Sequence, residues 1–375
     1  MTAVLKKINI GPGAIATPSE SGGPGFALSA AEWYAIQTYV IAAQSKEIMP
    51  HTEADFKAFL GSGAPGDMSP FTPLINAYKG IFDHVTTWND DTFPASVSLA
   101  SDVVSYAQQA PTYYAPILPL AQKLVDNPND QSAKDKLKAI LDTLAKSASG
   151  YQSKAEAVAT KIKTFADQTQ ADKDILVGPD GKSGLFKKYD TEYGEKSVEV
   201  QRLTKELADQ QTILDAANKE YEHDVVVAAT SPTYAWVWPF GTIAAAVVAG
   251  VYGKRATDAL DRAHAARAKI KELNEEKQAD ANLMASLHTT QMGLSGNINS
   301  ISAALPVIQK IQGVWAAISD DLGNISKLIE TNIAEALPII MDLGVESAIK
   351  AWTAVGEEAQ AYRVNAYVTV SQKAA

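Results

Sequence analysis

Apolar residues recur every three or four positions along most of this chain, the spacing of one face of an α-helix. Ser29 followed by Glu32 fits a capping box, so the pattern predicts a helix over AAEWYAIQTYVIAAQSKEIM that ends at Pro50. The stretch to about Pro94 reads as loop-rich with short helices such as Pro73 to Trp88. From Ala95 to Asn127 the helical pattern carries Pro111, Pro116 and Pro119, which predicts a kinked or interrupted helix. Gln131 to about Leu176 is helical and nearly unbroken, and Gly178, Pro179, Asp180 and Gly181 mark its end as a turn.

The next pattern is the most regular. Phe186, Tyr189, Tyr193, Lys196, Val200, Leu203, Leu207, Gln210, Leu214, Ala217 and Tyr221 alternate steps of three and four, a heptad-like seam. It predicts one helix of about 36 residues, roughly 54 Å long at 1.5 Å per residue. After Lys254 a second charged helical pattern carries Leu260, Ala263, Arg267, Ile270, Leu273, Lys277, Met284 and Leu287, with no strong breaker before Gly293 to Gly296. Amphipathic helices follow from Ile301 to Leu343, and a last one from about Val345 to Ala361. TAVLKKINI and AYVTVSQ are the two segments able to pair in extended form. The expected class is all-α, an elongated bundle of long antiparallel helices.

Between the two long seams lies VVVAATSPTYAWVWPFGTIAAAVVAGVYG, Val225 to Gly253, without a charged residue. Glu222, His223 and Asp224 bound it on one side, Lys254 and Arg255 on the other. Length alone permits one membrane span. Pro232 and the run Trp238, Pro239, Phe240, Gly241 favour a hairpin instead, with arms near Val225 to Val237 and Thr242 to Gly253. Each arm is then about 18 Å long. A hairpin with no polar face must be buried on all sides, in lipid or in protein. Tyr234, Trp236 and Trp238 cluster near the tip, where amphipathic rings favour a membrane interface. The alternative is a core hairpin of a soluble helical protein.

Composition narrows the function classes. A formal net charge of -10 gives no basic patch for phosphate and argues against a nucleic-acid partner. It argues equally against recruitment to anionic lipid by charge alone. The absence of cysteine excludes disulfides, thiolate metal sites and cysteine nucleophiles. The N-terminal MTAVLKKINIGPGAIATPSESGGPGF lacks the apolar core of a secretory signal, so export is expected by another route or after removal of a signal.

Local chemistry is sparse. His51, His84, His223, His264 and His288 show no metal-ligand spacing and read as ordinary surface or core residues. GSGAPG, with Gly61, Gly63 and Gly66, matches a phosphate-loop pattern, but Pro65 stands where the helix should open, so it reads as a loop. The acidic pairs Asp320 with Asp321 and Glu275 with Glu276 read as solvated helix faces. No enzyme activity, cofactor or metal is expected.

The layout of two long helical seams enclosing an apolar hairpin resembles the cytolysin A family of α-helical pore-forming toxins, over roughly Ser29 to Ala361. The resemblance is one of architecture and hydropathy. It implies an irregular arm (1–28), a helical-bundle tail (29–221 and 254–375) and a membrane-inserting head (222–253). It implies insertion by Val225, Val226, Val227, Tyr234, Trp236, Val237, Trp238, Phe240, Ile243, Val247, Val248, Val251 and Tyr252. Pro232, Pro239, Gly241, Gly250 and Gly253 become hinge or helix-packing positions. The hairpin has no polar stripe to line a lumen, so the chain looks like the apolar-headed B component of a Gram-negative tripartite haemolysin. That in turn implies a secreted protein, soluble before insertion, with three kinds of partner: a target-cell membrane, further copies of itself, and components including one with an amphipathic head. A helical scaffold anchored in a membrane by its hairpin shares the same features, but would bind lipid without making it leak.

Overall fold

The computed structural model describes residues 8, 10–16, 30–46, 48–195, 197–225, 258, 261, 262, 265, 266 and 268–365. Among them every regular element is helical, and no strand occurs, in keeping with the all-α expectation. The helices are α1 (Ala30–Gln44), α2 (Glu53–Leu60), α3 (Thr72–Thr87), α4 (Phe93–Tyr114), α5 (Ile117–Asp126), α6 (Gln131–Leu176), α7 (Leu185–Tyr189), α8 (Val198–Val225), α9 (Glu275–Thr331), α10 (Ile333–Met341) and α11 (Val345–Asn365). The chain divides into two compact units, one of residues 1–29, 93–163 and 303–366, the other of 30–92, 164–302 and 367–375.

The first unit is built around aromatic rings. Trp315 of α9 stacks on Trp352 of α11 at 5.0 Å, and Tyr106 of α4 meets both edge-on at 4.6 and 4.8 Å. Tyr106, Tyr114, Trp315 and Trp352 are all buried. Rings of this size bury about 150–250 Å² each, so they dominate the energy of a helical core. The Ile10 carbonyl accepts from both Tyr114 Oη and Trp352 Nε1, each at 2.9 Å. Part of the predicted irregular arm is therefore core: Ile10 and Ile15 are fully buried, and a short 3₁₀ turn, Gly13–Ala16, follows Pro12. The Tyr106 and Tyr114 hydroxyls share a 2.7 Å hydrogen bond, and burial pushes both phenols well above their ordinary range. α4 runs through Pro111 and the chain breaks at Ala115 and Pro116 before α5, as the prolines predict. On the unit's surface, Lys138 bridges Asp142 at 2.5 Å and Glu330 at 3.2 Å, while Ser326 bonds Asp142.

The second unit packs α1, α2, α3, the end of α6, α7, α8 and the start of α9. Phe71 lies against Phe56 at 5.3 Å, Tyr189 at 5.8 Å and Tyr193 at 5.3 Å. The Ser286 hydroxyl donates to the Ile48 carbonyl at 2.6 Å, so Tyr78 Oη donates to Ser286 Oγ at 2.9 Å. Burial pushes the Tyr78 phenol up to about 12. Asn282 Nδ2 donates to the Phe59 carbonyl at 3.0 Å, which fixes α9 against α2.

Three helix boundaries differ from the periodic pattern. The seam from Phe186 to Tyr221 is broken: α7 ends at Tyr189, a π-helical turn covers Asp190–Gly194, and α8 starts at Val198. Tertiary packing overrides the period here. Tyr189 and Tyr193 both turn onto Phe71, Tyr189 Oη donates to the Pro70 carbonyl at 2.8 Å, and Lys187 bridges Glu195 at 2.7 Å across the turn. Gly194 sits so close to Met284 that a Cβ would come within 3.0 Å of its sulfur.

On the return side the helix breaks at residues 272–274, where Asn274 Oδ1 accepts from the Lys277 N–H at 3.0 Å and opens α9. Conversely, α9 continues through Gly293, Gly296 and Pro306. Glycine costs about 1 kcal/mol and proline about 3 kcal/mol in a helix interior. Buried Met284, Leu287 and Leu294 in one unit, and Ile311, Trp315 and Ile318 in the other, oppose that cost. The remaining break, at Asn332, carries a cap: its side chain accepts from the Glu335 N–H at 3.3 Å.

GSGAPG is a loop, as expected, but one with a packing role. Gly61 has φ 76°, and a Cβ at Gly63 would lie 2.1 Å from the Glu275 carbonyl oxygen, which is backbone and has little room to move. Gly63→Val is expected to lower stability by about 1–3 kcal/mol, the usual cost of overpacking. Gly66→Val, where nothing lies within 4 Å of the added Cβ, is the control. Equal urea midpoints for the two variants would show that α9 does not depend on this close approach.

Candidate functional site: the base of the apolar segment

The buried positions of α8 follow the predicted seam. Val200, Leu203, Leu207 and Gln210 are buried, with Thr204 beside them. On the earlier part of the seam Phe186 and Tyr189 are buried and Tyr193 is half-buried. α8 ends at Val225, the first residue of the uncharged stretch, so the chain enters that stretch directly from a helix.

On the return side Ala266, Ile270, Met284 and Leu287 are buried, and Leu273 and Lys277 are half-buried. Lys277 Nζ lies 3.5 Å from Glu199 Oε2. This ion pair joins the first turn of α8 to the first turn of α9, at the end of α8 remote from Val225, roughly 39 Å away at 1.5 Å per residue. Both side chains are about half exposed, which puts the pair at about 0–1 kcal/mol, a marker of position rather than a clamp.

The predicted insertion residues Val226, Val227, Tyr234, Trp236, Val237, Trp238, Phe240, Ile243, Val247, Val248, Val251 and Tyr252 lie outside the described residues. So do Pro232, Pro239, Gly241, Gly250 and Gly253. The possible extended pair TAVLKKINI and AYVTVSQ falls outside as well, apart from Ile8 and Ile10. Among the described residues no helix is long and apolar enough to cross a membrane.

The structure assigns a partner to one histidine that the sequence left ordinary. His84 Nδ1 of α3 lies 2.9 Å from Asp172 Oδ2 of α6. The carboxylate is almost fully buried, and only 27% of the histidine side chain is exposed. The hydrogen bond to Asp172 raises the His84 pKa above its ordinary value, against the opposing effect of burial and with help from Asp83. Buried Tyr39 of α1 faces the same carboxylate and has its phenol pushed up by burial first and Asp172 second.

A histidine with a raised folded pKa adds stability that is fully present below its unfolded value near 6.5 and is lost as pH rises through the folded value. The melting temperature is therefore expected to fall by a few degrees as pH rises through this window. His84→Gln should flatten that fall; an unchanged pH profile would assign the dependence to another group. No sequence signal could have found the pair, because its members are separated by 88 positions.

Of the remaining expectations, Glu275, Glu276 and Asp320 are exposed and Asp321 is half-buried, in keeping with solvated helix faces. His51 stacks on Phe82 at 4.0 Å. Among the described residues no group of three or more His, Cys, Asp or Glu is placed to hold a metal ion.

The fold is similar to that of solved α-helical toxin components, as the sequence resemblance implied. Residues 72–223 match the family model of the Bacillus haemolytic enterotoxin (HBL), a match that ends two residues before the uncharged stretch begins. Over 371 residues the chain is 26% identical to the pesticidal crystal protein Cry6Ba of Bacillus thuringiensis, covering 92% of this chain and 89% of that one. Among solved structures, the HblL1 toxin component of Bacillus cereus aligns with a TM-score of 0.57 at 17% identity, over 98% of this chain and 100% of that one. Soluble SmhA of the tripartite α-pore-forming toxin Smh from Serratia marcescens aligns with a TM-score of 0.56 at 12% identity, over 96% of each chain. These relatives are toxins or toxin components by description, in line with the expectation of a non-enzymatic protein.

Proposed function

We propose that this protein is a secreted component of a pore-forming toxin that inserts its apolar segment, residues 222–253, into a target membrane. The observation that carries this reading is that α8 delivers the chain straight into an uncharged stretch. A stretch of that composition has its lowest free energy out of water, at roughly 25 cal/mol per Å² of apolar surface transferred. The toxin names of its relatives support the same reading. Because Val225 to Gly253 has no charged stripe to face water, the chain acts as the apolar-headed component, beside copies of itself and a partner whose head is amphipathic. The soluble form keeps the stretch covered until lipid competes for it.

The break between α7 and α8 suits such a change. The seam from Phe186 to Tyr221 has the period of one continuous helix, whereas the structure interrupts it at Asp190 to Ser197. The two conformations available to this segment are the broken one, held by Phe71, Pro70 and the Lys187–Glu195 pair, and the straight one its own pattern favours.

Dye release from liposomes and lysis of red cells test the reading, with the protein alone, with candidate partner components, and with a variant lacking Val225 to Gly253. Leakage that needs both the stretch and a partner is the expected result. Leakage by the protein alone would make it a single-component pore former. Lipid binding without leakage in every combination would leave the membrane-anchored scaffold in its place.

A further inference from the structure

A cavity of about 310 Å³ lies in the second unit, between the turn that follows α6, the helix α7, and the early turns of α9. That volume is at the lower edge of the usual 300–1,000 Å³ for small-molecule sites. One wall is apolar: Val177, Phe186, Met284 and Leu287 line it, and all are buried by the fold. His288 and Lys182 also line the cavity.

Neither ring nitrogen of His288 has a hydrogen-bond partner among the described residues; burial lowers its pKa, against the opposing charge of Asp190 on the same lining. Lys182 forms no ion pair among the described residues. Asp190 and Glu195 are in turn held by Lys187, at 3.8 and 2.7 Å, which offsets their charge at this rim.

The backbone that presents Lys182 is fixed. Gly178 and Gly181 take φ 90° and 73°, and Asp180 Oδ1 accepts from the Lys182 N–H at 2.9 Å, the Ser183 N–H at 2.9 Å and Ser183 Oγ at 2.7 Å. The backbone that carries Lys182 is thus anchored beside the cavity that its side chain helps line.

We propose that this cavity binds a monomeric alkyl carboxylate of medium length, its chain against Phe186, Met284 and Leu287 and its carboxylate between Lys182 and the His288 N–H. An apolar wall alone would take a neutral alkane or alcohol; the unpaired cation and the unsatisfied imidazole select the anion. The inference goes beyond the pore-forming reading and does not rest on it. The bound chain would bridge α7 and α9, and so would hold the second unit in its packed form.

Decanoate is the probe, titrated into the full chain carrying ¹³C-methyl methionine. The chain has six methionines, and among the described residues Met284 is the one that lines the cavity. The expected result is a saturable 1:1 shift of the Met284 methyl, weakened about tenfold in Lys182→Gln, the usual scale for losing one charged hydrogen bond. Leu287→Phe, which fills the cavity, should remove the shift, and its own fold is checked on the other methionine methyls. Decanol should bind at least tenfold more weakly than decanoate. Lys182→Gln is a surface change and answers the question even if Leu287→Phe does not fold. No shift at Met284, an equal affinity in Lys182→Gln, or parallel non-saturating shifts of every methionine would each overturn the proposal.

Discussion

Joining residues 187 and 195 by a short cross-link is expected to abolish leakage in the liposome assay. Lys187 and Glu195 face each other across the break at 2.7 Å, and the chain has no native cysteine, so Lys187→Cys with Glu195→Cys gives a unique thiol pair. In one continuous helix these two positions stand eight residues apart, about 12 Å along the axis. A linker matched to the separation of the two thiols in the broken form, and shorter than that, holds the broken form and forbids the straight one. Because the linker does not touch the uncharged stretch, binding of the protein to lipid is the step that survives. A reducible linker should return full leakage on reduction. The control is the same chemistry at Lys205→Cys and Asp209→Cys, a 3.1 Å pair within α8 that a straight helix accommodates. Equal leakage from the locked and control proteins would show that this break does not open during insertion.

Trp352→Ala is expected to destabilise the first unit by about 3–5 kcal/mol, the range for truncating a large buried aromatic. The indole is fully buried, stacked on Trp315 at 5.0 Å and met by Tyr106 at 4.8 Å. Its N–H also supplies one of the two hydrogen bonds that hold the Ile10 carbonyl. Trp352→Phe separates the two contributions. It keeps most of the ring contacts and loses that hydrogen bond, while Tyr114 still satisfies the carbonyl, so its cost should be about 0.5–1.5 kcal/mol. Urea midpoints of both variants check the order. A Trp352→Ala midpoint within error of wild type would mean that the stacked rings do not carry this core.

Gly356 makes the same core possible, since a Cβ there would meet Ala107 Cβ at 2.6 Å. α4 and α11 therefore approach at a separation that only a small residue on each side allows. Ala107 is buried at the contact, and no period in the sequence distinguishes Gly356 from the exposed Gly313 and the half-buried Gly323, where an added Cβ meets nothing within 4 Å.

What could be read from the sequence was what depends on neighbours three or four positions away. The all-α class, the bounds of α6 at Gln131 and Leu176, the proline break before α5 and the buried seam of α8 all follow from local period and local breakers. The uncharged composition of Val225 to Gly253 needed no structure at all, because the cost of leaving that much apolar surface in water is a property of the residues themselves.

Contacts between distant segments decided the rest. The break between α7 and α8 is made by Phe71 and Pro70 drawing in Tyr189 and Tyr193, against a period that calls for one helix. Ile10 is core because Tyr114 and Trp352 reach its carbonyl from positions over a hundred residues away. Asp172 finds His84, and the cavity beneath Lys182 forms, only once α3, α6, α7 and α9 are assembled. A helical period fixes which face of a segment is apolar, but leaves open which distant face will cover it; that choice depends on the shapes and polar groups of both surfaces, and only the folded chain brings them together.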